Sequence, residues 1–153
     1  MRIMILSIVC VLSFTVAEVD MNKPVPLEES LKISADVMNK SLPTMIDAEL
    51  RHDKVLAEEK NLIFKYTLVN FTKEDMTASK LKSLMEEDTK KGVCADKDSQ
   101  MMLKRGMSMV YDYADKNKQH ITKFVFDAKA CGLETDIDKL KNLLNLVKKK
   151  EQK

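Results

Sequence analysis

The sequence predicts an α+β fold: a four-stranded antiparallel sheet flanked by helices, in the order α-β-β-α-β-β-α and closed by one disulfide. Three observations carry that expectation. Apolar residues recur at helical spacing in three stretches, they alternate at period two in others, and two cysteines remain once the apolar N-terminus is set aside.

The chain opens Met1-Arg2 and runs apolar from Ile3 to Ala17, the build of a secretory signal peptide at residues 1–17. Small residues at Thr15 and Ala17 place cleavage after Ala17. A membrane-spanning helix needs about 20 apolar residues, so the stretch is short for one. Three alternatives stay open: a buried N-terminal helix, an uncleaved anchor, and a lipid-modified Cys10. The bulky Val9 before Cys10 counts against the last. With residues 1–17 removed, Cys94 and Cys131 are left in an exported chain, and an even count in an oxidising compartment reads as a bridge. Two free buried thiols are the alternative. In the chain-entropy picture the bridge stabilises by roughly 4 kcal/mol.

Residues 18–26 form an irregular lead-in, because Pro24 and Pro26 block regular structure. The α+β domain covers residues 27–134. Leu31, Ala35, Met38 and Leu42 mark one helical stripe, and Pro43 stops it. Glu49 to Glu58 reads as an edge strand protected by Arg51, Asp53 and Lys54. After the turn at Glu59-Lys60-Asn61, Leu62, Phe64, Tyr66 and Leu68 share one face of the best strand in the chain. Thr72 or Thr77 caps the next helix, with Leu81, Leu84 and Met85 inward and Gly92 ending it. Asp98 to Lys104 reads as a short helical turn. Gly106 opens a hairpin in which Met107, Met109, Tyr111 and Tyr113 alternate. Asp115 to Lys118 turns the chain, and Phe124 and Phe126 share a face on the way back. Residues 135–153 form a C-terminal amphipathic, lysine-rich helix, capped by Thr135 or Asp136 and striped by Ile137, Leu140, Leu144 and Val147.

Several short stretches resemble a group of small exported bacterial proteins of unassigned activity. They are Leu42-Pro43-Thr44-Met45-Ile46-Asp47, Arg51-His52-Asp53, Tyr66-Thr67-Leu68-Val69-Asn70, Gly92-Val93-Cys94 and Ala130-Cys131-Gly132. The similarity runs from about Ser30 to Gly132. It implies a disulfide-closed α+β domain of the envelope and transfers no activity, and the helix after Glu134 lies outside it.

The residues offer little for chemistry. Only His52 and His120 could act as imidazole bases or ligands, both in expected strands, and a charged edge carrying a solvated histidine accounts for them. Met101, Met102, Met107 and Met109 form a local group of soft thioethers of the kind that selects Cu(I), set against ordinary core packing. There is no G-x-S-x-G and no phosphate-cradling glycine loop. Asp47, Asp53, Asp112 and Asp127 could pair as acid and base, but with 33% of residues charged such coincidences are expected. A formal net charge of +2 gives no argument for nucleic acid.

From Thr135 to Lys153 six lysines face three acids. The expected arrangement docks this helix by its own stripe, with the lysines complementing the C-terminal dipole. The alternative lays it on anionic lipid or in a partner's groove. The sequence therefore points to a periplasmic or secreted protein without cofactor or enzymatic activity. It would act by contact with another envelope protein in an accessory or chaperone-like role. Ile137, Leu140, Leu144 and Val147 are the candidate contact residues. The rival reading is a carrier for a small apolar ligand or Cu(I), using the methionine and aromatic sheet face.

Overall fold

The computed structural model describes residues 25–151. The signal-peptide segment with Cys10, most of the lead-in and the last two residues lie outside them. Helix α1 (Leu27–Asn39) leads into strands β1 (Thr44–Met45), β2 (Leu50–Glu58) and β3 (Asn61–Leu68). Helices α2 (Ala78–Ala95) and α3 (Lys97–Lys104) follow, then β4 (Ser108–Ala114), β5 (His120–Phe126) and α4 (Asp136–Glu151).

The sheet is mixed and five-stranded, in the order β1-β2-β3-β4-β5, rather than four-stranded and antiparallel. Two features make the difference. The two-residue β1 pairs with Arg51 and His52 at the edge. The joint between β3 and β4 is parallel, with Leu62 opposite Met109 and Tyr66 opposite Tyr113. Helices α2 and α3 supply the long crossover that a parallel pair requires. The two hairpins, β2–β3 and β4–β5, are antiparallel as expected.

Period-two alternation decides what is buried. Leu62, Phe64 and Leu68 from β3, Met109 and Tyr113 from β4, and Phe124 and Phe126 from β5 form one core with Leu31 and Ala35 of α1, Leu81 and Val93 of α2, and Leu103 of α3. Across it the rings meet strand to strand: His52 stacks on Tyr66 at 4.5 Å, Tyr66 on Tyr113 at 5.3 Å, and Phe64 on Tyr111 at 5.0 Å. Helices α1 to α3 thus cover one face of the sheet.

Several local expectations change. Of the α1 stripe, Leu31 and Ala35 are buried and Leu42 packs against the core, but Met38 is exposed. Leu84 of α2 is exposed as well, because the helix turns Leu81, Met85 and Val93 toward the sheet. Thr77, not Thr72, is the N-cap of α2, accepting from the Lys80 N–H. Gly92 does not end that helix, which runs on to Ala95 and stops where Asp96 caps α3 through the Ser99 N–H. Cys94 therefore sits in the last turn of α2. It is bridged to Cys131 with the Cα atoms 5.3 Å apart, as the cysteine count implied.

The edge of β2 is closed by a side chain. The Asn39 amide donates to the Val55 carbonyl and accepts from the Val55 N–H, both at 2.8 Å, standing in for a neighbouring strand just beyond the reach of β1. At the other end, buried Asp115 organises the β4–β5 turn. Its carboxylate accepts the N–H groups of Asn117 and Gln119 at 2.8 Å and of Lys73 at 3.1 Å. Burial would raise that carboxyl, but these backbone donors outweigh it and hold it below its ordinary value of 3.8.

Helix α4 does not dock. Ile137, Leu140, Leu144 and Val147, the stripe expected to seat it, are 52–58% exposed. Leu143 and Leu146 are exposed too. The helix sustains itself locally through a reciprocal capping box, in which Thr135 Oγ1 donates to Asp138 and accepts from the Asp138 N–H at 3.1 Å.

Candidate functional site

Helices cover one face of the sheet; the other is organised by register into three rows. Leu56, Ile63, Val110 and Val125 stand side by side across β2, β3, β4 and β5. The next row is Lys54, Lys65, Asp112 and Lys123, and beyond it come Arg51, Thr67, Ala114 and His120. An apolar band thus runs beside two polar rows, its Val125 end half exposed at 50%. The polar rows form an open cleft of about 560 Å³, lined among others by Arg51, Asp53, Lys65, Asp112, Lys118 and His120.

A bulge builds the cleft. The register slips between His52 and Lys54, so Asp53 is the extra residue and swings onto the open face beside Arg51. Arg51 Nε donates to one Asp53 oxygen and Thr67 Oγ1 to the other. Lys118, from the β4–β5 turn, donates to Thr67 Oγ1 at 3.1 Å and lies 3.6 Å from Asp53. Partial burial pushes the Asp53 carboxyl up, but the Thr67 and Arg51 hydrogen bonds and the nearby cations hold it below 3.8. One strand over, Asp112 pairs with Lys65, and His120 Nδ1 lies 3.0 Å from its other oxygen. The two rows and the turn carry Arg51, Lys54, Lys65, Lys118 and Lys123 against Asp53 and Asp112, a clear excess of positive charge.

Arg51 and Asp53 therefore furnish a surface instead of protecting an edge, as the sequence suggested they would. His52 is not the solvated histidine of a charged edge either. Its ring lies on the packed face against Tyr66 and Phe64, and its buried Nε2 has no hydrogen-bond partner. His120 is the solvated one, and it pairs with Asp112. The Thr67 hydroxyl on the same face donates to Asp53 and not to the His120–Asp112 pair. Among the described residues no three His, Cys, Asp or Glu side chains converge as a metal site. The four methionines are divided: Met107 and Met109 are buried, Met102 packs against the core, and Met101 is 58% exposed. The aromatic and methionine face is packed against helices, so it lines the core rather than the cavity a ligand carrier would need.

Residues 12–132 match the model of the family described as "Putative quorum-sensing-regulated virulence factor". The chain belongs to that family. Its match to the family takes in the whole sheet and the disulfide and ends before α4. No curated protein sequence matches this member of the family. Three solved structures share its fold. A "putative secreted protein" of Pseudomonas aeruginosa aligns with a TM-score of 0.60 at 20% identity, over 69% of this chain and 92% of its own. The pilotin EpsS of the Vibrio vulnificus type 2 secretion system aligns at 0.57 and 15% identity, over 69% and 91%. The type 2 secretion pilotin AspS of Vibrio cholerae aligns at 0.54 and 15% identity, over 69% and 92%. At these identities the likeness is one of fold.

Proposed function

We propose that this member of the family is a non-enzymatic accessory protein of the bacterial envelope. It would hold a segment of a partner polypeptide on the open face of its sheet, as a component of a secretion or surface machine. One observation carries the reading. The apolar row Leu56–Ile63–Val110–Val125 lies beside two rows rich in cations, on a face that helices α1 to α3 leave open. A segment with apolar residues along one side and acidic residues beside them complements both features. Val125, half exposed at the end of that row, gives such a contact its anchor, and the basic rows give it register and partner choice. The fold shared with two type 2 secretion pilotins supports the same class of role. The apolar N-terminus supports an envelope or secreted location.

The test places a photo-crosslinking amino acid at Val125 on the open face and, in a second variant, at Leu84, an apolar position on α2 that is at least as exposed. In the native host's envelope, the expected result is one discrete protein adduct from position 125 and none from position 84. The same adduct should disappear when Lys65 and Lys123 are replaced by Glu. Adducts arising from position 84 and not from 125 would refute the assignment of the open face.

A further inference from the structure

The family match ends at Gly132, yet the chain continues into a 16-residue helix whose apolar stripe is more than half exposed. We propose that α4 lies on anionic lipid, as a peripheral membrane-surface element added to the family's domain.

The arrangement of charge singles out this occupant. On a helix of 3.6 residues per turn, Ile137, Leu140, Leu143, Leu144 and Val147 fall within an arc of about 120°. Lys141 and Lys148 border that arc on one side and Lys139 borders it on the other. Asn142 and Asn145 stand opposite. A lysine on each shoulder is where its stem lies along the apolar surface while the ammonium reaches headgroup phosphates. The acids are confined to the ends: Asp136 and Asp138 fill the first turn, where they favour the helix dipole, and Glu151 is the sole acid beyond them. All six apolar side chains of the helix are more than half exposed, from 52% at Leu144 to 60% at Leu143. An exposed stripe of that size marks an interaction site.

Length excludes the other membrane geometry. Sixteen residues rise about 24 Å, short of a hydrocarbon core of about 30 Å, so the helix lies along a bilayer and does not cross it. Among the described residues no helix is long and apolar enough to span. A second copy is the weaker occupant, since sixteen residues give little more than two heptads, while coiled coils are sustained over at least three or four. Docking on the chain's own core is already excluded by the exposure of the stripe. The helix needs no bilayer in order to form, because its capping box and the Asn142–Glu134 contact of 2.8 Å hold its first turns.

The chain from Glu18 onward keeps all the described residues and lacks the N-terminal apolar run that would itself bind lipid. Its sedimentation with vesicles of phosphatidylcholine containing 30% phosphatidylglycerol is the test, against vesicles of phosphatidylcholine alone. Binding to the anionic vesicles is expected to exceed binding to the neutral ones by at least about tenfold and to weaken as salt rises. Leu140→Asp with Leu144→Asp should abolish it. Replacing Lys139, Lys141 and Lys148 by Gln should reduce it at least about tenfold. Leu84→Asp, on α2, should leave it unchanged. All these positions are exposed, so the thermal transition should stay at the unsubstituted value, which separates loss of binding from loss of fold. Absence of binding to either vesicle, or binding indifferent to the Leu140/Leu144 pair, overturns the proposal. So does a dimer that the same pair disrupts while no vesicle binds, which would assign the stripe to a second copy.

Discussion

Phe124 and Val125 are neighbours in β5, and they live in different environments. Phe124 is 2% exposed among the rings of Tyr113 and the core, whereas Val125 is 50% exposed at the end of the open apolar row. The alternation that separates them runs the width of the sheet. One face carries the stability of the domain in close-packed aromatic and aliphatic side chains. The other holds ion pairs such as Arg51–Asp53 and Lys65–Asp112, whose partners keep about a fifth to a third of their surface in water, a setting in which such pairs stabilise by about 0–1 kcal/mol. The open face is thus free to be shaped by recognition, because little of the fold depends on it.

Truncating the two neighbours measures that division. Phe124→Ala is expected to cost about 3–5 kcal/mol, since it leaves a cavity in a filled core. Val125→Ala should cost less than about 1 kcal/mol. Urea denaturation of the oxidised chain reads both. Similar losses at the two positions would mean that the open face is covered in the folded chain.

How much of this could be read beforehand follows from the same contrast. The packed face was legible because Leu62, Phe64, Tyr66 and Leu68, then Met107, Met109, Tyr111 and Tyr113, each announce themselves within a single strand. The open apolar row was not, because each strand contributes one residue to it. Leu56, Ile63, Val110 and Val125 become a row only when the register is known. The parallel β3–β4 joint was hidden for a similar reason: period two is the same for parallel and antiparallel neighbours, and only the chain's path through α2 and α3 decides. The His120–Asp112 pair depends on the register of one hairpin, and the swing of Asp53 on a bulge. An amphipathic stripe reads identically whether it docks on its own core or on something else, so the free state of α4 had no signature in its periodicity. Cysteine parity, by contrast, needs no geometry, and Cys94–Cys131 followed from it directly.

A second experiment sharpens the comparison at the sheet's edge. Asn39→Ala removes both partners of Val55 at a position with 1% exposure, leaving a backbone N–H and carbonyl unmatched. The expected loss is about 2 kcal/mol. Asn39→Asp keeps the acceptor and loses the donor, so it should fall between the two. If Asn39→Ala cost nothing, β2 would have found another edge partner, and self-association of the variant at raised concentration would identify it.

The smallest effect separates the two histidines. His120 on the open face is solvated and paired with Asp112, so His120→Ala should change stability by less than about 0.5 kcal/mol. His52 on the packed face lacks a partner for Nε2, and burial lowers its pKa from the ordinary 6.5, an effect that the Asp53 charge only partly offsets. Its neutral form is therefore the one the fold prefers. Above pH 6.5 both the folded and the unfolded imidazole are neutral and the contribution to stability is complete. As pH falls below 6.5 the unfolded chain takes up the proton first, and stability declines until the folded side chain titrates as well. The depressed carboxyls of Asp53 and Asp115 follow the same sign at lower pH: their contribution is present above about 4 and is lost as pH falls through their folded values. His52→Phe keeps a ring against Tyr66 and removes the unpaired nitrogen, for an expected gain of about 1 kcal/mol at pH 8. Because the substituted chain no longer titrates there, the gain should be larger at pH 5. Thermal unfolding at the two pH values decides it. An equal gain at both would show that His52 exchanges no proton on folding and that its buried nitrogen finds a partner in solution.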